Sequence, residues 1–366
     1  MRVIRGRNVN HNYVFGLDEL RRYGVRQSSR AGDVLVAPYP VMSVYHRPME
    51  RVLFDANRDA NPFFHLMESL WMLAGRDDAG FLNNYVQDFG TRYAEQGHHV
   101  HGAYGMRWRE SFGHDQLERV VAKLQHDSSD RQCVIAMWDA RMEHVGGVPV
   151  GENDLSGTWL DRPCNTHAYL RVRDETLRDY GGGPPGPGPA SRRVLDLTVC
   201  CRSNDIVWGC YGANAVHFSV LHEYLAGRIG VDVGIMYQFS NNWHGYVDVL
   251  DKIRDTEGVP LNDPYEDGRV STMSMATNWQ AWDGDLAIFM QWHDCFWGDE
   301  EPDGGVLYEL VEMFDNRWFA DVACRVAAAY RVRKTMSTEE ALIVANMIAA
   351  PDWRQACVEW LQRRVK

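Results

Sequence analysis

"VCCRSNDIVWGCYGANAVHFSVLHEYLAG", residues 199–227, changes character part-way along. An apolar run gives way to a polar series, Arg202, Ser203, Asp205, Gly209 and Asn214, and that series runs into a helical pattern. The spacing predicts a helix from about Asn214 to Gly227, with Asn or Gly at its start and Gly after its end. Just upstream, "RRVLDLTVCCR" alternates as a strand does, and so does "NTHAYLRVR" at 165–173. Between them lies "GGGPPGPGP", residues 181–189, which suits neither a helix nor a strand interior. A long flexible hairpin connection between neighbouring antiparallel strands accounts for all three pieces.

The first of these strands is entered through "RPCNTH". Alternation puts Cys164, Thr166, Ala168, Leu170 and Val172 on one face, and Asn165, His167, Tyr169, Arg171 and Arg173 on the other. Cys164 reads either as a small hydrophobe at the edge of a core or as a nucleophile aimed into a pocket. Further upstream, "NPFFHLMESLWMLAGR" has helical spacing, with Phe64, Met67, Trp71 and Ala74 on one stripe and Gly75 as its stop. Glu68 sits on that stripe, where a carboxylate is costly unless it is paired, hydrogen-bonded or working. "QCVIAMWD", 132–139, suits a buried strand, and "VDVGIMYQFSNNWHGYVDVLDKI" reads as a strand, a polar turn and a helix. From about 300 onward, "YELVEMF", "DVACRVAAAYRV", "TEEALIVANMIAA" and "WRQACVEWLQRRV" look like amphipathic helices. The order implies an α+β fold, with a mixed, antiparallel-rich sheet flanked by helices and an extra C-terminal helical region. Residues 1–366 read as one domain, with the flexible loop at 181–189 and a helical extension at about 300–366.

Lys and Arg total 38 against 50 Asp and Glu, a net charge of −12, which argues against a nucleic-acid or membrane-surface binder. It leaves room for a small anion held by local arginines. The eight cysteines include no CxxC pair, so neither a zinc site nor a disulfide framework is expected. With no signal peptide or spanning run either, a cytoplasmic protein is expected, with no metal. The dinucleotide, P-loop, zincin and serine-hydrolase motifs are all missing.

Five motifs in order resemble the thymidylate synthase superfamily, which includes the pyrimidine-nucleotide hydroxymethylases. "LMESLWMLAG" resembles the helix carrying the catalytic glutamate, and "HGAYGMRWR" is similar to Gly-x-x-Tyr-Gly-x-x-Trp-Arg. Pro163–Cys164 resembles the nucleophile motif, "RSND" the Arg-Ser-x-Asp, and "NNWHGYVD" the Asp-x-His-x-Tyr. The resemblance implies that the Cys164 thiolate adds to C6 of a pyrimidine nucleoside monophosphate, making C5 nucleophilic towards the carbon of 5,10-methylenetetrahydrofolate. It places Glu68 at water ordering and proton movement, and Tyr104 near the C5 proton. Arg30, Arg202 and Ser203 would hold the phosphate, joined by Arg131 from a second subunit of a homodimer. His244 and Tyr246 would meet the sugar, Asn214 the base edge, and Asp205 the folate or the ring.

Methyl and hydroxymethyl products diverge at one intermediate, where the carbon is either reduced by the folate or attacked by water. This chain departs from the synthases in its charged C-terminal helix and in one extra residue between Arg202 and Asn214. It also has Phe89 where a shielding tryptophan is expected. These departures favour a hydroxymethylase, with dCMP or CMP preferred and dUMP close behind. The alternatives are thymidylate synthase itself and a nucleotide-binding regulator without the chemistry.

Overall fold

The computed structural model describes residues 1–141, 144–145, 148–149, 153–155, 159–176, 191–253, 263–298 and 312–365. The strands are β1 (Arg2–Gly6), β2 (Val25–Ser29), β3 (Gly32–Val36), β4 (Val41–Tyr45), β5 (Val134–Ala136), the small pair β6 (His144–Val145) and β7 (Val148–Pro149), β8 (Asn165–Thr176), β9 (Ser191–Asp205) and β10 (Asp232–Tyr246). The helices up to residue 250 are α1 (Val9–Tyr23), α2 (Pro62–Leu73), α3 (Ala79–Asn83), α4 (Phe89–Tyr93), α5 (Tyr104–Arg109), α6 (Gln116–His126), α7 (Asn214–Ile229) and α8 (Val247–Leu250). Beyond them come α9 (Trp282–Gly298), α10 (Arg325–Thr335), α11 (Thr338–Ala345) and α12 (Pro351–Gln362).

The main sheet runs β1-β4-β10-β9-β8-β5, with β3 also on β10 and β2 on β3. β1–β4 and β9–β10 are parallel, and the other pairings are antiparallel. This is the mixed, antiparallel-rich α+β sheet that the sequence implies. β8 and β9 pair from Asn165↔Cys201 to Thr176↔Ser191, so residues 177–190 connect adjacent antiparallel strands. The glycine-proline run at 181–189 and most of "YELVEMF" lie outside the described residues.

Three readings need correction. The expected turn in "SNNW" does not form, and β10 continues to Tyr246. Asn242, Trp243 and His244 pair with Ser203, Asn204 and Asp205, so neighbouring strands supply the partners that a polar turn would supply locally. The strand expected over 132–139 shrinks to Val134–Ala136 at the sheet edge. Helix α7 ends at Gly230 (φ +86°) rather than at Gly227. Gly227 stays helical, and a Cβ there would overlap the Trp279 ring, so close packing explains that glycine.

Parallel pairing of β9 with β10 needs a crossover, and α7 supplies it. Thirteen of its residues in a row, Asn214 to Ala226, are buried, so it is a core helix with little solvent face. Between β9 and α7 the chain makes a π-helical turn, Ile206–Ala213, with Gly212 off helical geometry (φ −104°, ψ −112°). Such turns are rare and are found mostly at functional sites. Asn214 follows this one as the first residue of α7. The C-terminal helices pack on α2: Phe63 meets Tyr330 at 5.2 Å and Trp360 at 5.4 Å between ring centroids.

Candidate active site

Pro62 at the first turn and the Asn61 side chain, accepting from the Phe64 N–H at 3.2 Å, start α2. This helix is buried on nearly all sides, so its apolar stripe divides in two. Met67 enters the core, whereas Phe64, Glu68 and Trp71 line a cleft of about 710 Å³. Glu68 therefore sits on a cleft wall, with Oε2 2.9 Å from Nε2 of His217 on α7. Phe89 and Tyr93 continue the aromatic wall, and Trp208 stands half-exposed in it beneath the Arg58 guanidinium, 4.3 Å from the ring.

The cleft is also lined by Tyr104, Asp161, Asp205, Asn214 and Tyr246. Cys164 is not on the cleft wall itself, but its half-buried thiol adjoins it. Its backbone N–H donates to Tyr104 Oη at 3.1 Å, and its ionisation is felt at Tyr246. The Tyr104 oxygen also accepts from the backbone N–H of Asn165 at 3.1 Å and from its Nδ2 at 2.9 Å. Asn165 Nδ2 donates on to Asn214 Oδ1, Asn214 Nδ2 to Asn204 Oδ1, and Asn204 Nδ2 to Ser240 Oγ. Five elements, α5, β8, α7, β9 and β10, are tied together by this relay, which leaves Asn214 one donor and one acceptor for a ligand.

Burial pushes the Cys164 thiol up, the Arg202 guanidinium pulls it down, and Asp161 pushes it up again. Asp161, half-buried three residues earlier, is itself raised to about 6 by desolvation. Arg202 is fixed by donating to the carbonyls of Pro163 at 2.9 Å and Arg162 at 3.1 Å. Asp205 caps the π-helical turn by accepting from the N–H groups of Val207 and Trp208. Its Oδ2 is buried without a hydrogen-bond partner, and burial raises its carboxyl against the pull of the Trp208 N–H and His244. His244, opposite Asp205 in the sheet, bonds Asn242 through Nδ1 at 2.8 Å and meets the Tyr246 ring edge-on.

Arg30 is exposed in the β2–β3 turn, close enough to influence Tyr246. Ser203 is half-buried on β9, one residue from Arg202. Arg131 is exposed before β5 and does not line the cleft. The structure thus gathers Glu68, Phe89, Tyr104, Asp205, Asn214 and Tyr246 on one cleft, with Cys164 and Arg202 beside it, and leaves Arg131 outside. The sequence reading misses Asn165, Asn204 and His217. Strict alternation puts Asn165 on the face opposite Cys164, but an irregularity in the β8–β9 register between Asn165 and His167 re-aims it. His217 follows Asn214 by three residues, which on a helix means the same face, and that spacing was the available signal.

A cysteine at the entry to β8 beside an arginine, with a carboxylate, a tyrosine and an asparagine on one cleft, is a set of groups able to carry out nucleophilic group transfer. The sequence model of the thymidylate synthase family matches residues 55–258. Over the whole chain, and 95% of the relative's length, it is 39% identical to a deoxyuridylate hydroxymethyltransferase of Pseudomonas phage M6. A second deoxyuridylate hydroxymethyltransferase, from Bacillus phage SP01, is 33% identical over 61% of this chain and 54% of its own. A thymidylate synthase of Rhizobium rhizogenes is 30% identical over 43% of this chain and 44% of its own. The chain belongs to the thymidylate synthase family, and it is a transferase of one-carbon groups. No helix among the described residues is long and apolar enough to cross a membrane.

Proposed function

We propose that this protein hydroxymethylates C5 of dUMP, with 5,10-methylenetetrahydrofolate as the one-carbon donor and Cys164 as the nucleophile. The observation that carries the reading is the convergence of Glu68, Tyr104 and Asn214 on one cleft beside Cys164 and Arg202. The folate supplies the carbon at the formaldehyde level of oxidation. An aromatic wall of Phe64, Trp71, Phe89 and Trp208 beside the unpartnered Asp205 Oδ2 suits a flat heterocycle bearing N–H donors. Thiolate addition at C6 makes C5 nucleophilic, and Arg202 favours the thiolate. Glu68 moves protons, and Tyr104 faces the C5 hydrogen.

Arg30, Arg202 and Ser203 form the phosphate site in this reading, His244 and Tyr246 hold the sugar, and Asn214 reads the base through its spare donor and acceptor. That pair suits either pyrimidine. Uracil is chosen over cytosine because two phage relatives carry deoxyuridylate in their names. A homodimer in which Arg131 reaches the other subunit's phosphate completes the proposal. Exposed Val134 and Tyr169, paired across β5 and β8, give an apolar surface next to that arginine.

Product mass tests the reading. With methylenetetrahydrofolate, dUMP should gain the mass of a hydroxymethyl group while tetrahydrofolate is released. A methyl product with dihydrofolate would make the protein a thymidylate synthase, and turnover of dCMP alone would reassign the base. Cys164→Ala should abolish product while nucleotide binding persists, as calorimetry would show; an active Cys164→Ala enzyme would remove the mechanism.

A further inference from the structure

Hydroxymethylation, unlike methylation, needs a base that takes a proton from the attacking water. His217 is 4% exposed, on the first turn of α7 after Asn214, and both residues line the cleft. Its Nε2 lies 2.9 Å from Glu68 Oε2, yet neither atom has an aligned hydrogen bond. Two buried polar atoms this close, on the wall of a ligand-sized cleft, make a costly arrangement unless they share or move a proton. Catalytic hydrogen bonds are often poorly aligned before substrate arrives. His65, another imidazole on the cleft, is held neutral: burial first, then Arg58 and His217, push it well below the ordinary histidine value.

We propose that Glu68 and His217 form a proton-transfer dyad that activates the water adding to the C5-methylene intermediate. The inference rests on the hydroxymethylation reading and deepens it. The Glu68 carboxylate orients one ring nitrogen and steadies the imidazolium, while the other nitrogen takes the proton. The water oxygen bonds to the exocyclic carbon as its proton passes to His217, and the displaced electron pair moves into the ring as an enolate. Return of that pair rebuilds the C5–C6 double bond and expels the Cys164 sulfur from C6 as thiolate. Neither an oxidant nor a reductant is consumed. Reduction of the same intermediate to a methyl group needs no such base, so His217 is a residue that steers the reaction to hydroxymethyl.

The test compares His217→Phe and His217→Gln with the wild type, using dUMP tritiated at C5 and methylenetetrahydrofolate, with and without added thiol. Tritium release reports formation of the methylene, which precedes water addition, and the thiol captures that methylene without a protein base. Hydroxymethyl product should fall about 100-fold or more in both variants. Tritium release should fall less than about 10-fold, with the difference recovered as thioether. The glutamine variant, which keeps a polar side chain, guards against a folding defect. Equal losses of tritium release and product, or unchanged product, would overturn the dyad. A wild-type enzyme giving no hydroxymethyl product would overturn the function itself, and the dyad with it.

Discussion

Cys164 is pulled in two directions. Its own burial and the Asp161 carboxylate oppose ionisation, while Arg202 favours it. Alkylation rate follows the thiolate fraction, so the balance can be read residue by residue. Arg202→Ala should slow iodoacetamide labelling of Cys164, and Asp161→Asn should speed it at pH 7–8, where Asp161, with its pKa of about 6, is ionised. Below pH 6 the Asp161→Asn advantage should fade as the native carboxyl takes its proton. Peptide mapping of the labelled cysteine checks both, and an unchanged rate in both variants would disconnect these groups from the thiol. At the same scale, the sequence marks Cys164, Glu68 and Tyr104 through motif order. Asn165 and Asn204 stay invisible because a lone asparagine carries no periodic signal, and only the folded relay shows what each one touches.

At the scale of elements, α2 lines the cleft and α12 packs against it. Trp360, 5% exposed, packs on Phe63 and lies beneath the Arg364 guanidinium, 3.5 Å from its ring. Trp360→Ala should cost about 3–5 kcal/mol of stability by the cavity it leaves, and it should loosen α2 enough to lower turnover. Asp352 at the start of α12 gives a pH signature. Burial lifts it to about 6, and it accepts from the Tyr265 hydroxyl at 3.0 Å. Between about pH 4 and that value the folded chain keeps a proton the unfolded chain has released, so stability falls as pH rises through this window. Asp352→Asn should therefore stabilise the protein by about 1–3 kcal/mol at pH 7.5 and by nothing near pH 4, as denaturant titrations at the two pH values would show. Helices α2, α7 and α10 to α12 are legible from spacing alone. The length of β10 is not, because its polar residues are satisfied by a neighbouring strand rather than by a local turn.

For the molecule as a whole, the C-terminal helices share a core with α2 rather than standing apart. One folding unit over residues 1–366 is the expectation. Fluorescence and circular dichroism should then report a single coincident thermal transition, which bound dUMP shifts upward by mass action. Separate transitions, with the early one leaving nucleotide binding intact, would make the C-terminal helices an independent domain.

Periodicity and composition settle by themselves that this chain alternates strands and helices around a large core, and motif order settles its family, because both are properties of neighbours along the chain. Tertiary structure alone decides that the chain between β9 and α7 makes a π-helical turn, that a break in strand register turns Asn165 inward, and that His217 meets Glu68. Each of these depends on contacts between residues far apart in sequence, whose cost or gain exists only once the elements have packed.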